Sequence, residues 1–549
     1  MNTLLVDTQT IVDTLTPVLP DWKILPVALS TVSNEGEKNI PLSDTQQPYS
    51  HIIEQLTGEG KERLLICTSP DRVGEALAYQ LAKALDIDIK LPIRICLSSL
   101  AEEDVLAAIQ VPRPINLSWV AAHEAQKTMD NLMGFRLSPI LWKYLKSTRH
   151  LPVGRLAALA LNMLKREKGT SENARQVVKG TFIHHTGISI EAFSQDYGAK
   201  TLHNENSQEY KLTEIKKTYT HLPPPPLFTT VSLWEEAAEK LSFPVIKTAQ
   251  TAMALYEKGM ITYPYSSVPL KEYPINTSFL LDTFGSTAMR VEASPNGVGE
   301  GILPVDIVQK AGMALSREEA LLYQLITSRT VASFMNPQQQ KVTTLLFSNG
   351  EQYFQGINRQ IVESGWQTAY GHFLPEWEKQ EENKLDSSLV VGKSFQLTEV
   401  SREEKPYTYT EVALCQEFIS RNLAAPRELK AMLQQLYQRE YVEVKRKSVP
   451  VLEISSETTP NIGGHGLSIG KPGLQVTGFM EKRVPALLEE EYNVSLRDYL
   501  EALAAGEGRY QEIVYLFNEK LKQALLTPTF LRRIQRKKRA LDFHVNPES

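Results

Sequence analysis

Short apolar runs alternate with helix-period stretches at the start of the chain. Leu4-Leu5-Val6 reads as a strand, followed by polar residues and an amphipathic helix. Leu64-Leu65-Ile66-Cys67 is a second strand. It runs into Thr68-Ser69-Pro70-Asp71-Arg72-Val73-Gly74-Glu75 and a helical stretch from Ala76 to Leu85. Pro92-Ile93-Arg94-Ile95-Cys96 reads as a third strand. This alternation over residues 1–145 predicts a mostly parallel sheet, with ligands expected at the strand C-terminal ends. Gly180-Thr181-Phe182-Ile183 and Lys341-Val342-Thr343-Thr344-Leu345-Leu346-Phe347 carry β patterns. His184 and His185 are adjacent, so on a strand they would face opposite ways and not form a metal pair. Pro223 to Pro226 form a stiff segment that marks a domain border. Beyond it the pattern is helical, with Ser232 placed to cap a helix from Leu233 onward. Residues 406–545 are helical again, ending in an amphipathic stretch from Tyr510 to Ala524. The fold class is therefore α/β plus α plus β, in several domains.

One stretch of the second helical region carries chemistry. Thr248 to Lys258 is a helical run that Gly259 ends, because glycine enters the left-handed C′ conformation cheaply. Met260-Ile261-Thr262-Tyr263 then reads as a short strand that Pro264 closes. Tyr263 sits at the tip of that unit. Its hydroxyl is a candidate nucleophile, although spacing alone favours a core or rim tyrosine.

Composition narrows the class. The chain has 549 residues, 42% of them hydrophobic and 22% charged, as in soluble globular proteins with several cores. No window approaches the roughly 18 apolar residues of a membrane span. The N-terminus lacks a basic region and holds Asp7 and Asp13, so a signal peptide is not expected. Cys67, Cys96 and Cys415 make no C-x-x-C pair, which points to a reducing, cytoplasmic setting without disulfides or a zinc ribbon. Net charge is −5, which does not advertise nucleic-acid binding. A basic run near the end, Arg532, Arg533, Arg536, Lys537, Lys538 and Arg539, is suited to non-specific phosphate contacts.

The stretch LYEKGMITYPYSS, Leu255 to Ser267, resembles the active-site segment of type IA DNA topoisomerases, written LYExGxITYxRTDS. Leu255, Tyr256, Glu257, Gly259, Ile261, Thr262 and Tyr263 match. Other motifs follow in family order. Thr68 to Glu75 resembles the Toprim TDPDREGE, Leu151 to Leu156 its SaGRVQ, and Leu322 to Met335 its LY.LIw.RfvASqM. The GRPST turn reads Ala424-Ala425-Pro426-Arg427-Glu428.

The resemblance implies a toroid in four parts. Residues 1–145 form a Toprim-like domain. Residues 146–174 with 406–549 form a helical DNA-binding-like domain with a basic tail. Residues 175–227 with 341–405 form a β-rich arch, and residues 228–340 a helical domain carrying Tyr263. It implies cleavage and rejoining of single-stranded DNA, with Tyr263 linked to the 5′ phosphate. Asp7 falls at a catalytic glutamate, and Asp71 and Glu75 at a magnesium site. Arg72 and Arg155 fall at DNA-binding positions.

Several helpers are missing. The family arginine after the tyrosine is Tyr265, its lysine Ile11, its histidine Gly299 and a second arginine Leu303. Two magnesium carboxylates are Ser69 and Val73. These groups stabilise charge on the transition-state oxygens, and losing one such donor costs about 2.7–4 kcal/mol. The residues therefore imply impaired activity and a degenerate Mg site. The alternative is a non-catalytic relative that binds single-stranded DNA or scaffolds a DNA-processing complex. A Toprim-type nuclease is disfavoured, because it needs the same carboxylates.

Overall fold

The computed structural model describes residues 2–27, 49–56, 63–145, 151–170, 176–185, 187, 189–194, 208–265, 301–306, 315–350, 352–370, 389–404, 409–445 and 466–525. The basic run beyond Arg532, the Ser266-Ser267-Val268 segment and Gly299 lie outside these residues.

The N-terminal part is a three-stranded parallel sheet of order β2-β1-β3, from β1 (Asn2–Val6), β2 (Trp22–Pro26) and β3 (Arg63–Cys67). Leu4 pairs with Ile24 on one side and Leu65 on the other, so the most apolar strand is central. Helices α1 (Gln9–Leu15), α2 (Ser50–Leu56), α3 (Arg72–Ala84) and α4 (Glu102–Gln110) flank it. The expected third strand at Pro92–Cys96 is reduced to bridges, Ile66 with Arg94 and Arg94 with Arg113. Pro92 has no N–H to donate. The third strand of the sheet is instead β2, an edge strand that the pattern hid because only Ile24 is buried and Pro26 ends it.

Two long helices follow, α5 (Leu117–Leu145) and α6 (Arg155–Thr170). Ala125, Met129, Met133, Leu137 and Leu141 recur every four residues on α5 and are all buried. They join one apolar core with the C-terminal helices α10 (Glu411–Ser420), α11 (Pro426–Gln438), α12 (Lys471–Arg483), α13 (Glu490–Ala504) and α14 (Tyr510–Leu525). A short hairpin, Val442–Lys445 against Gly466–Ile469, lies beside them.

Strands from two separate stretches close one antiparallel barrel, in the order β4 (Gln176–Ile183), β5 (Ser189–Ser194), β8 (Tyr353–Glu363), β7 (Gln338–Ser348), β6 (Gln208–Leu222), β9 (Ser394–Glu404). Its interior is aromatic. Phe182 stacks on Phe347 at 4.5 Å and meets Tyr210 and Phe354 edge-on, each at 5.2 Å. His184 and His185 lie just past the end of β4, where strand alternation no longer applies. Their rings are 3.9 Å apart rather than on opposite faces.

The remaining helices are α7 (Thr230–Leu241), α8 (Val245–Glu257) and α9 (Arg317–Ser333). Thr229, not Ser232, caps α7, while the Ser232 hydroxyl bonds back to complete a capping box. This unit does not stand apart from the N-terminal sheet. Leu4, Ile11 and Leu65 share a single apolar cluster with Leu233, Leu255, Tyr256, Tyr263 and Leu322. No described helix is long and apolar enough to cross a membrane.

Candidate active site

Tyr263 is held by its backbone on both sides. Gly259 takes φ +69°, its N–H bonds Tyr256 O at 2.8 Å, and the Met260 N–H bonds Leu255 O at 2.9 Å. This turn ends α8 one residue after its C-cap, as the glycine predicts. The expected strand Met260–Tyr263 is shared between two partners. Ile261 bridges Pro304, Thr262 N–H donates to Leu303 O at 2.9 Å, and Tyr263 N–H donates to Ser98 O at 2.7 Å. The Thr262 hydroxyl accepts from Leu303 N–H at 3.0 Å. Leu303, at the place of a family arginine, is thus a buried clamp on the Tyr263 segment.

The Tyr263 ring is 1% exposed. Tyr256 meets it edge-on at 5.2 Å, and Tyr256 in turn donates to Leu97 O at 2.7 Å. Tyr265, where the resemblance expects arginine, is a second edge-on ring at 6.0 Å whose buried hydroxyl has no partner among the described residues.

The Tyr263 hydroxyl donates to Asp71 Oδ2 at 2.8 Å. Arg427 Nη1 donates to the same tyrosine oxygen at 3.1 Å and also to Asp71 Oδ2. Three chain segments far apart in sequence therefore meet at one oxygen. Asp71 is fixed by local structure. It is the N-cap of α3, and its Oδ1 accepts from Gly74 N–H at 2.8 Å. Gly74 is required there, because a β carbon would lie 1.9 Å from Ser69 O. Arg427 is fixed by α11, which begins at Pro426. Its neighbour Glu428 bonds back to Ala425 N–H and accepts from Gln126 and, at 2.6 Å, from Arg497.

Electrostatics follow the geometry. Burial opposes the Asp71 charge, but Arg427, the Gly74 N–H and the Tyr263 hydroxyl outweigh it and hold the carboxyl below its usual range. Burial is also the main cause of the rise at Tyr263, well above an ordinary phenol; Arg427 pulls it back, and the Asp71 charge adds to it. Asp7 lies at the end of β1, beside the end of β3, and its Oδ2 accepts from Ser69 N–H at 2.7 Å. This crevice is the switch point of the sheet. The other oxygen of Asp7 is buried without a partner among the described residues, and burial lifts the group to about 6.

Glu75 faces elsewhere. Its carboxylate is fully buried and accepts from Arg94 Nε at 3.1 Å, from Arg113 at 2.8 and 2.9 Å, and from Asn116 N–H. Arg94 also bonds Ser69 O at 2.8 Å, so the cluster ties the end of β3 to the loop before α5. Asp71 and Glu75, expected to share a magnesium ion, are turned to different partners. Mg²⁺ wants near-octahedral oxygen ligands, which a carboxylate saturated by two arginines does not supply. Ser69 and Val73 replace two further acids, and a guanidinium already sits on Asp71. No group of three or more His, Cys, Asp or Glu among the described residues could hold a metal. The donor set does not fit the ion.

The two expected DNA-binding arginines are engaged with protein. Arg72 pairs with Glu501 on α13. Arg155 is 5% exposed and pairs with Asp130 at 3.0 Å, because the helix start at Gly154 is packed inside the helical core. The site residues that the sequence did not single out are Arg427, Arg94 and Arg113. Arg427 stands in the turn that resembles GRPST, but nothing local points it at Tyr263, 164 residues away.

A family model described as DNA topoisomerase matches residues 114–457. DNA topoisomerase 1 of Aquifex aeolicus (strain VF5) is 26% identical over 560 residues, covering 95% of this chain and 98% of that protein. Full-length topoisomerase I from Thermotoga maritima has the same fold, with a TM-score of 0.75 at 20% identity over 95% of this chain and 90% of that one. The chain belongs to the type IA DNA topoisomerase family. Membership implies DNA as its partner.

Proposed function

We propose that this chain cleaves and rejoins single-stranded DNA through Tyr263, more slowly than its fully equipped relatives, in the cytoplasm. The observation that carries the reading is the contact of the Tyr263 hydroxyl with Asp71 and Arg427, at 2.8 and 3.1 Å. In cleavage the Tyr263 oxygen attacks phosphorus and the bond to the 3′ oxygen breaks. The phenolic proton passes to Asp71, and the leaving 3′ oxygen takes a proton from Asp7. A carboxyl group at about 6 still carries a proton often enough near neutrality to act as that acid. Rejoining reverses each transfer. The N-terminal sheet serves as a Toprim-like platform, with Asp7 and Asp71 at adjacent strand ends.

The burial of Tyr263 favours a second reading, a non-catalytic relative that holds single-stranded DNA or scaffolds a DNA-processing complex. Relaxation of negatively supercoiled plasmid, beside a Tyr263→Phe control, separates the two. A tyrosine-dependent change in linking number and a covalent DNA adduct are expected. Their absence, with binding to single-stranded DNA retained, leaves only the second reading.

A further inference from the structure

The Tyr263 junction has lost the cations that the family resemblance would place there, yet it is not without a cation. Arg427 touches the reacting oxygen at 3.1 Å. It lies where the GRPST turn has a serine, while the arginine of that turn is Ala425 here. An arginine has thus been lost at one position and gained two residues on, at the position that reaches Tyr263. Its side chain is 39% exposed, in contrast to the enclosed tyrosine beside it. Only Nη1 is engaged, with Asp71, Tyr263 and, at 3.4 Å, Ser69 Oγ. Nε and Nη2 have no partner among the described residues. A guanidinium so placed presents free donors to an arriving phosphate while staying on the nucleophile.

We propose that Arg427 is a catalytic residue of this chain, and that its guanidinium, not a divalent cation, carries the negative charge that develops at Tyr263 and on the non-bridging phosphate oxygens. This rests on the strand-transfer reading above. One Nη stays on the tyrosine oxygen as its proton leaves to Asp71, and the free nitrogens bind the phosphorane oxygens. No metal enters the balance, because the proton has an acceptor and the new charge has a counter-ion. The misfit of the acidic cluster to Mg²⁺ then has a reason: the position on Asp71 is already taken by a cation that does not dissociate.

The test uses the full chain with negatively supercoiled plasmid and a labelled single-stranded oligonucleotide, each with Mg²⁺ or with excess EDTA. Wild type is expected to relax the plasmid and to form adduct at rates within about twofold in the two conditions. Arg427→Ala should lower both rates by about 10²–10³ in either condition. Arg427→Lys keeps the charge but not the fork, and should fall between. Added guanidinium ion should restore part of the Arg427→Ala rate, which a merely structural loss would not allow. Relaxation that requires Mg²⁺, or an Arg427→Ala rate equal to wild type, overturns the inference and leaves the strand-transfer reading standing. No adduct from wild type in either condition overturns that reading, and this inference with it.

Discussion

Two carboxylates stand four residues apart at the start of α3, and their surroundings differ in kind. Glu75 is enclosed by Arg94 and Arg113 from its own domain, with both oxygens satisfied. Asp71 gives one oxygen to its own helix and turns the other outward, to a tyrosine and an arginine from two other parts of the chain. The first arrangement is local and saturated; it holds the loop after β3 in place. The second exists only when three segments are together, and it includes an arginine with donors to spare. A buried ion cluster and a junction between distant segments can therefore grow from the same acidic turn. What separates them is whether the counter-charges come from within the domain or across it.

That distinction can be broken at either end. The largest effect belongs to Tyr263→Phe, which removes the oxygen of the proposed nucleophile while keeping the ring in its pocket. Covalent adduct should fall below detection with the unfolding midpoint nearly unchanged, read by gel and by thermal melting. Glu75→Ala should do the reverse. It leaves Arg94 buried without its partner, at a cost of about 3–5 kcal/mol, measurable by denaturant unfolding.

Asp7→Asn should be a pH-dependent stabiliser. The folded group titrates at about 6 against 3.8 for a free aspartate, so ionisation opposes folding. The opposition is absent below the free value, grows between the two, and is complete above the folded one. Removing the charge should therefore add about 1–3 kcal/mol above the folded value, a gain that fades as pH drops from the folded value to the free one. An unfolding series that shows no such pH trend would disprove the burial argument for Asp7. The smallest effect is expected at Arg72→Ala. Its pair with Glu501 is partly exposed, and the change should stay under about 1 kcal/mol with little loss of single-stranded DNA affinity in a gel shift.

Much of the architecture was legible along the chain. The short apolar run Leu4–Val6 marked a strand, and Gly259 marked the helix stop before Tyr263. β2 and the bridge at Arg94 were not legible. An edge strand needs little apolar surface, and the strand-like run around Arg94 spends its central residue on a buried ion pair. Arg72 and Arg155 matched DNA-binding positions by order, but order does not reveal whether a guanidinium already has a carboxylate beside it.

By itself, the sequence determined the family, the position of Tyr263 after a helix stop, and the loss of the expected helper residues, because these are properties of residue type and spacing. The tertiary structure decided which charges meet. It sent Glu75 into an arginine cluster and brought Arg427 across 164 residues to the Tyr263 oxygen. The physical reason is range: helix stops and strand periods are set by neighbours in the chain, whereas a hydrogen bond between domains depends on how whole elements pack.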